Sequence, residues 1–116
     1  MRKQNSKRIL SRTAPERAAL MRNLTKSLLE HGSIVTTEAR GKELKRFVEP
    51  LVTDAKKELT LARRRRLIST LKDKNRLQSL LDVAQRYNTR PGGYLRLTHL
   101  PRTRGDFART VRVDFV

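Results

Sequence analysis

Two histidines, His31 and His99, are the only imidazoles in the chain. A histidine pair is what acid–base cleavage of RNA requires, one ring to take a proton and one to deliver it. These two stand far apart in sequence, and simpler roles suit them: His31 ends a helix, where an imidazolium complements the dipole, and His99 is a capping or RNA-facing residue. There is no cysteine, which removes disulfides, thiolate metal sites and thiol nucleophiles. The acidic residues cluster at Glu38, Glu43, Glu49, Asp54 and Glu58 among Lys42, Lys45, Arg46 and Lys56. At helical spacing that is a solvated pairing face, not a catalytic carboxylate pair. No glycine-rich phosphate loop, metal-ligand spacing or nucleophile elbow occurs. The residues point to a non-enzyme with no cofactor, no metal and no small-molecule substrate.

The chemistry that the composition supports is anion binding. Lys and Arg total 28 against 11 acidic residues, a net charge of +17. Self-repulsion at that density destabilises a compact free chain, and a polyanion relieves it. The cations are unevenly spread. Segments 1–31 and 59–90 carry net charges of +6 and +7, segment 32–58 carries +1 and segment 91–116 carries +3. The near-neutral segment is expected to be scaffold and the two basic ones binding faces. No stretch approaches the ~18 apolar residues of a membrane span. No secretory hydrophobic region follows the basic start, which points to the cytoplasm, or to an organelle if a presequence has been removed.

The elements that must carry these cations are mostly helices. Residues 1–13 hold Arg2, Lys3, Lys7, Arg8 and Arg12 and no acid, an extended arm expected to order on a polyanion. The remaining residues, 14–116, form one globular domain. Thr13 and Glu16 have the spacing of a capping box, and Pro15 fits a first turn. Met21, Leu24 and Leu28, with Ala14 and Ala18, predict a first helix ending near Gly32. Ser33–Thr36 is a short extended connector. A second helix from Thr36 or Thr37 buries Leu44, Phe47, Val48, Leu51, Val52 and Ala55, with Pro50 expected to kink it or break it near Glu49. A third helix, 59–71, holds four consecutive arginines. Leu67, Ile68 and Leu71 mark its buried side, and Arg64 falls within their arc while Arg63, Arg65 and Arg66 point elsewhere. A fourth, from Asp73 to Asn88, buries Leu77, Leu80, Leu81, Ala84 and Tyr87. After Pro91-Gly92-Gly93, two strands around Leu95–Leu97 and Val111–Phe115 form a hairpin whose long loop carries Arg102 and Arg104.

Aromatics make up 4% of the chain, with no tryptophan. Single-strand binders need stacking platforms, and here Tyr87, Tyr94 and the three Phe fall mostly at core positions. That favours a folded RNA backbone read by shape and phosphates. Phosphate contact alone does not separate RNA from DNA, so a DNA-binding architectural or regulatory protein stays as the alternative.

The run RAALMRNLTKSLLEHGSIVTTEARGKEL, residues 17–44, closely resembles the bacterial large-subunit ribosomal protein L-seventeen family. So do the basic opening that ends in Leu10-Ser11-Arg12 and the segment RPGGYLRL, residues 90–97. The resemblance implies an α/β (α+β) fold of about four helices on a small antiparallel sheet. It implies a structural constituent of the large ribosomal subunit near the peptide tunnel exit, bound to large-subunit ribosomal RNA and neighbouring ribosomal proteins, with no catalysis, cofactor or membrane. By matching position it implies RNA contacts from the arm (Arg2, Lys3, Lys7, Arg8, Arg12), Arg17, Arg22, Thr36, Thr37, Arg63 and Arg64. The full expected set adds Lys26, Arg40, Lys42, Arg66, Arg90, Arg96, Arg102 and Arg104. The chain departs from the family at Lys3, where His is common, at Gly41, where Ala is common, and in a more basic last strand. Gly41 is expected either to let RNA approach the backbone or to be simply tolerated.

Overall fold

The computed structural model describes residues 7–102 and 104–116. Helix starts coincide with extended residues that can cap them. Before α1 (Ala14–His31), the Glu16 carboxylate accepts the Thr13 backbone N–H at 3.4 Å. The helix ends at Gly32, whose left-handed φ of 80° lets its N–H donate to the Leu28 carbonyl at 2.8 Å. The chain passes directly into β1 (Ser33–Thr37) and then α2 (Glu38–Ala55). The Thr60 hydroxyl accepts the Arg63 N–H at 3.2 Å and opens α3 (Leu61–Leu71). Asp73 accepts the Asn75 N–H at 2.9 Å and opens α4 (Lys74–Arg86). Past the Pro91–Gly93 break come β2 (Leu95–His99) and β3 (Thr110–Phe115).

The expected hairpin of β2 and β3 is present, antiparallel, with Leu97 opposite Val113. Ser33–Thr37 is more than a connector. It pairs antiparallel with the other edge of β3, Thr36 opposite Val111, so the sheet has three strands in the order β1-β3-β2. Five residues between a helix stop and a helix cap carry too little periodicity to announce a partner so distant in sequence.

Val111 and Val113, fully buried on β3, face α2. Gly41 on α2 is buried against them: a Cβ there would stand 2.7 Å from Val111 Cγ2, and 3.3 Å from both Val113 Cγ2 and Leu97 Cδ2. Gly41 therefore serves helix–sheet packing. That replaces both expectations for it, RNA approach and simple tolerance.

The core continues from this contact through Leu44, Val48, Leu51 and Val52 of α2 to Leu67 and Leu71 of α3 and Leu77, Leu80, Val83 and Ala84 of α4. Leu81, expected in the α4 stripe, is half-buried, with Val83 buried instead. Pro50 does not break α2, which is helical on both sides of it; the residue lies exposed, with its ring away from the core. On α1 the buried residues are Met21, Thr25 and Leu28, whereas Ala14 and Ala18 are exposed. Thr25 is tolerated inside because its hydroxyl donates to the Met21 carbonyl at 2.7 Å. The glycine pair before β2 is tied to α2: the Gly93 N–H donates to the Glu49 carboxylate at 3.1 Å. Among the described residues, no helix is long and apolar enough to cross a membrane.

Gly41→Ala is expected to destabilise the fold. Overpacking costs about 1–3 kcal/mol, partly offset by ~1 kcal/mol of helix propensity. Urea denaturation should show a lower midpoint at unchanged slope. In a Val111→Ala background the same change should be neutral or stabilising. Equal midpoints for wild type and Gly41→Ala would mean that the sheet yields to the methyl group.

Candidate nucleic-acid interface

The expected binding residues separate into three regions. The first is a cleft of about 390 Å³ between residues 7–10, α1 and α2, with Lys7, Arg8, Arg17 and Arg46 around a floor that includes Met21 and Phe47. Arg8 pairs with Glu43 of α2 at 3.0 Å, and Arg46 reaches the same carboxylate oxygen at 3.3 Å. The Arg12 guanidinium donates to the Leu10 carbonyl at 2.9 Å, and Arg17 donates to the Arg12 carbonyl at 2.9 Å. Residues 9–12 thus form a turn, with Leu10 and Ser11 in left-handed backbone, so this part of the arm folds back on the helices. Arg2 and Lys3 lie outside the described residues. Arg22 is half-buried on α1, and Lys26 stands 3.9 Å from the Asp73 carboxylate at the start of α4.

The second region is the α2–α3 junction. Asp54 holds two arginines of the run: Arg63 through Nε at 3.3 Å, and Arg66, whose Nη2 lies 3.0 and 3.1 Å from the two carboxylate oxygens. Arg63 also donates to the Glu58 carbonyl. The expected arrangement is reversed, since Arg63 turns inward and Arg64 is exposed. On a helical wheel Arg63 only flanks the buried arc, and the carboxylate at the end of α2 draws it inward. The charged face of α2 pairs as expected for Lys42 with Glu38 at 2.9 Å and Lys45 with Glu49 at 3.7 Å. Lys56 departs from it: its ammonium donates to the Tyr94 hydroxyl at 2.9 Å and to the Arg90 carbonyl. That hydrogen bond, then the one with Thr53, holds the buried Tyr94 phenol below its ordinary value, against the burial that raises it. Arg90 itself is exposed.

The third region is the outer sheet face and the loop above it. Arg112 of β3 stands between Val35 and Thr98, and Arg96 of β2 lies opposite Asp114. Val35, Arg96, Thr98 and Arg112 are all exposed, so among the described residues no helix covers this face. Arg104 pairs with Asp106 at 3.3 Å, and Arg102 lies over the Phe107 ring. Thr36 and Thr37, expected to touch RNA, are half-buried; Thr36 is paired with Val111 in the sheet and Thr37 is the residue before α2. Arg40 is half-buried on α2. Glu38 ionises below its ordinary value, chiefly through the Lys42 hydrogen bond, with the charges of Lys42, His99 and Arg109 adding to it. His31 closes α1 and His99 lies on β2, both exposed.

Outside the expected set, Arg65, Arg86 and Arg112 are exposed, with no ion pair to a carboxylate among the described residues, as are Lys57, Lys72 and Lys74. Arg112 was legible in principle, because it alternates with Val111 and Val113 and had to point outward.

The family model for ribosomal protein L17 matches residues 20–116. The chain belongs to that family. The large ribosomal subunit protein bL17 of Syntrophotalea carbinolica is 42% identical over 117 residues, an alignment that takes in all of this chain and 75% of that protein. As an L17 protein the chain is a structural component of the large ribosomal subunit.

Asp54→Asn should have opposite effects on stability and binding. Loss of the charged acceptor is expected to weaken the α2–α3 junction by about 1 kcal/mol, given the partial exposure of the pair. The same change frees Arg63 and Arg66, so affinity for ribosomal RNA should rise as the melting temperature falls. If both fall together, Asp54 positions these arginines for RNA.

Proposed function

We propose that this L17-family chain holds its place in the large subunit by neutralising phosphates of large-subunit ribosomal RNA, with neighbouring ribosomal proteins near the tunnel exit of cytoplasmic ribosomes. One observation carries the reading. Glu30, Glu38, Glu43, Glu49, Asp54, Asp73 and Asp106 are already engaged by cations of the same chain. With 28 basic residues against 11 acidic ones, few carboxylates remain. Arg64, Arg65, Arg96 and Arg112 are exposed with no carboxylate partner among the described residues. Guanidinium groups in this state suit bidentate phosphate contact.

In this reading the paired arginines shape the surface and the unpaired ones bind. Arg64 and Arg65 offer charge from α3, and Arg96 and Arg112 offer it from the sheet. Lys7 and Arg17 extend the surface towards the arm. Structured RNA is favoured over a DNA major groove, because Asp54 holds two of the four α3 arginines and leaves no continuous base-reading face.

A tagged copy should co-sediment with the large subunit through a moderate salt wash. Binding to isolated large-subunit ribosomal RNA should weaken linearly in log salt. Arg64→Ala and Arg112→Ala should each reduce that slope by about 1 without sequence preference. A flat salt response, or equal affinity for duplex DNA, would overturn the proposal.

A further inference from the structure

Phe107 is the aromatic residue that does not enter the core. Tyr87 and Tyr94 are buried and Phe47 and Phe115 half-buried, whereas Phe107 is 63% exposed in the β2–β3 loop. A lone exposed apolar side chain is ordinary, but two features set this one apart. Its backbone is left-handed, with φ of 54°, a region that a bulky residue rarely adopts and that Gly or Asn would occupy with less strain. The surrounding turn holds it there: the Phe107 N–H donates to the Arg104 carbonyl at 3.0 Å, and the Ala108 N–H donates to the Asp106 carboxylate at 3.2 Å. The loop is closed at its base by the Leu100 N–H, which donates to the Thr110 carbonyl at 3.0 Å. Strain held by surrounding hydrogen bonds in this way is characteristic of functional positions.

The second feature is the company that the ring keeps. The Arg102 guanidinium lies 4.9 Å from the ring centroid. A cation covers at most one face of a ring, and Phe107 stays 63% exposed with Arg102 in place. Arg104 and Arg109 share the loop, offset there by Asp106 and, for Arg109, by Glu38 at 3.9 Å. An apolar pocket on a protein would have to desolvate these cations to reach the ring. An unpaired nucleotide meets both demands at once, with a flat base for the ring and a phosphate for the arginines.

We propose that Phe107 is a stacking platform for one unpaired base of the large-subunit ribosomal RNA, with Arg102 bracing the ring from behind. This rests on the phosphate-binding function proposed above and adds a contact of a different kind. A base inside a duplex has no free face, so the contact requires a loop, a bulge or a strand end.

The chain has no tryptophan, so Phe107→Trp in the full-length protein supplies a single reporter at the site. Its fluorescence should be quenched on addition of large-subunit ribosomal RNA. Phe107→Ala and Phe107→Leu should each weaken binding to that RNA about tenfold at unchanged salt slope and unchanged melting temperature, while Phe107→Trp binds as wild type. Unquenched tryptophan at saturation, or full affinity in Phe107→Leu, overturns stacking. So does a Phe107→Ala protein that binds naked RNA normally but is lost from assembled subunits, because that outcome assigns the ring to a protein neighbour. If the wild type itself shows no salt-dependent binding, the underlying phosphate reading has failed instead.

Discussion

At Gly41 the backbone of α2 comes so near the sheet that one methyl group would stand 2.7 Å from Val111. Protein interiors are close-packed, and a helix held at that distance has little freedom to slide or roll. The inward face of β3, with Val111 and Val113, is thereby committed to α2. The same strand must then present Arg112 outward, and β1 and β2 must present Val35, Arg96 and Thr98 beside it. The opposite end of α2 carries Asp54 to α3 and Glu49 to the glycine turn before β2. One missing side chain thus locates the sheet surface, the arginine run and the turn that leads into the hairpin.

Charge is divided by task. The carboxylates act as internal clamps: Glu43 holds Arg8, Asp54 holds Arg63 and Arg66, and Asp73 both opens α4 and faces Lys26. Each clamp joins segments that are separate in sequence. Surface ion pairs contribute little stability individually, so their larger effect here is on which cations remain outward. Removing arginines from the solvent-facing set is as informative for binding as displaying them, because only an unpaired guanidinium can give its donors to phosphate without first losing a partner. Phe107 extends this logic from charge to shape, as an aromatic held outside the core in a loop that is otherwise basic.

Much of the fold was legible because local rules suffice for it. Pro15 and Glu16, Gly32 and Asp73 mark helix ends through their own backbone chemistry, and the Leu and Val stripes of α2 and α4 repeat at helical spacing. Partner-dependent features were not legible. Ser33–Thr37 became a strand because β3 had an open edge, and Arg63 turned inward because a carboxylate from another helix was waiting there. Thr25 entered the core through a hydrogen bond to its own helix, which hydropathy does not register. Phe107 escaped the core because the β2–β3 turn aims it outward.

By itself the sequence determined the class of molecule: a single α+β chain with a large cation surplus, no thiol chemistry and a cluster of carboxylates on one helix. These follow from composition and from periodicities set within a few residues. Tertiary structure alone decided which of those cations face solvent, which strand is central, and why position 41 is glycine. The physical reason is the range of the interaction. Capping and amphipathicity act over one or two helical turns, whereas the 2.7 Å approach of Gly41 to Val111 and the Asp54 clamp exist only after distant segments have packed.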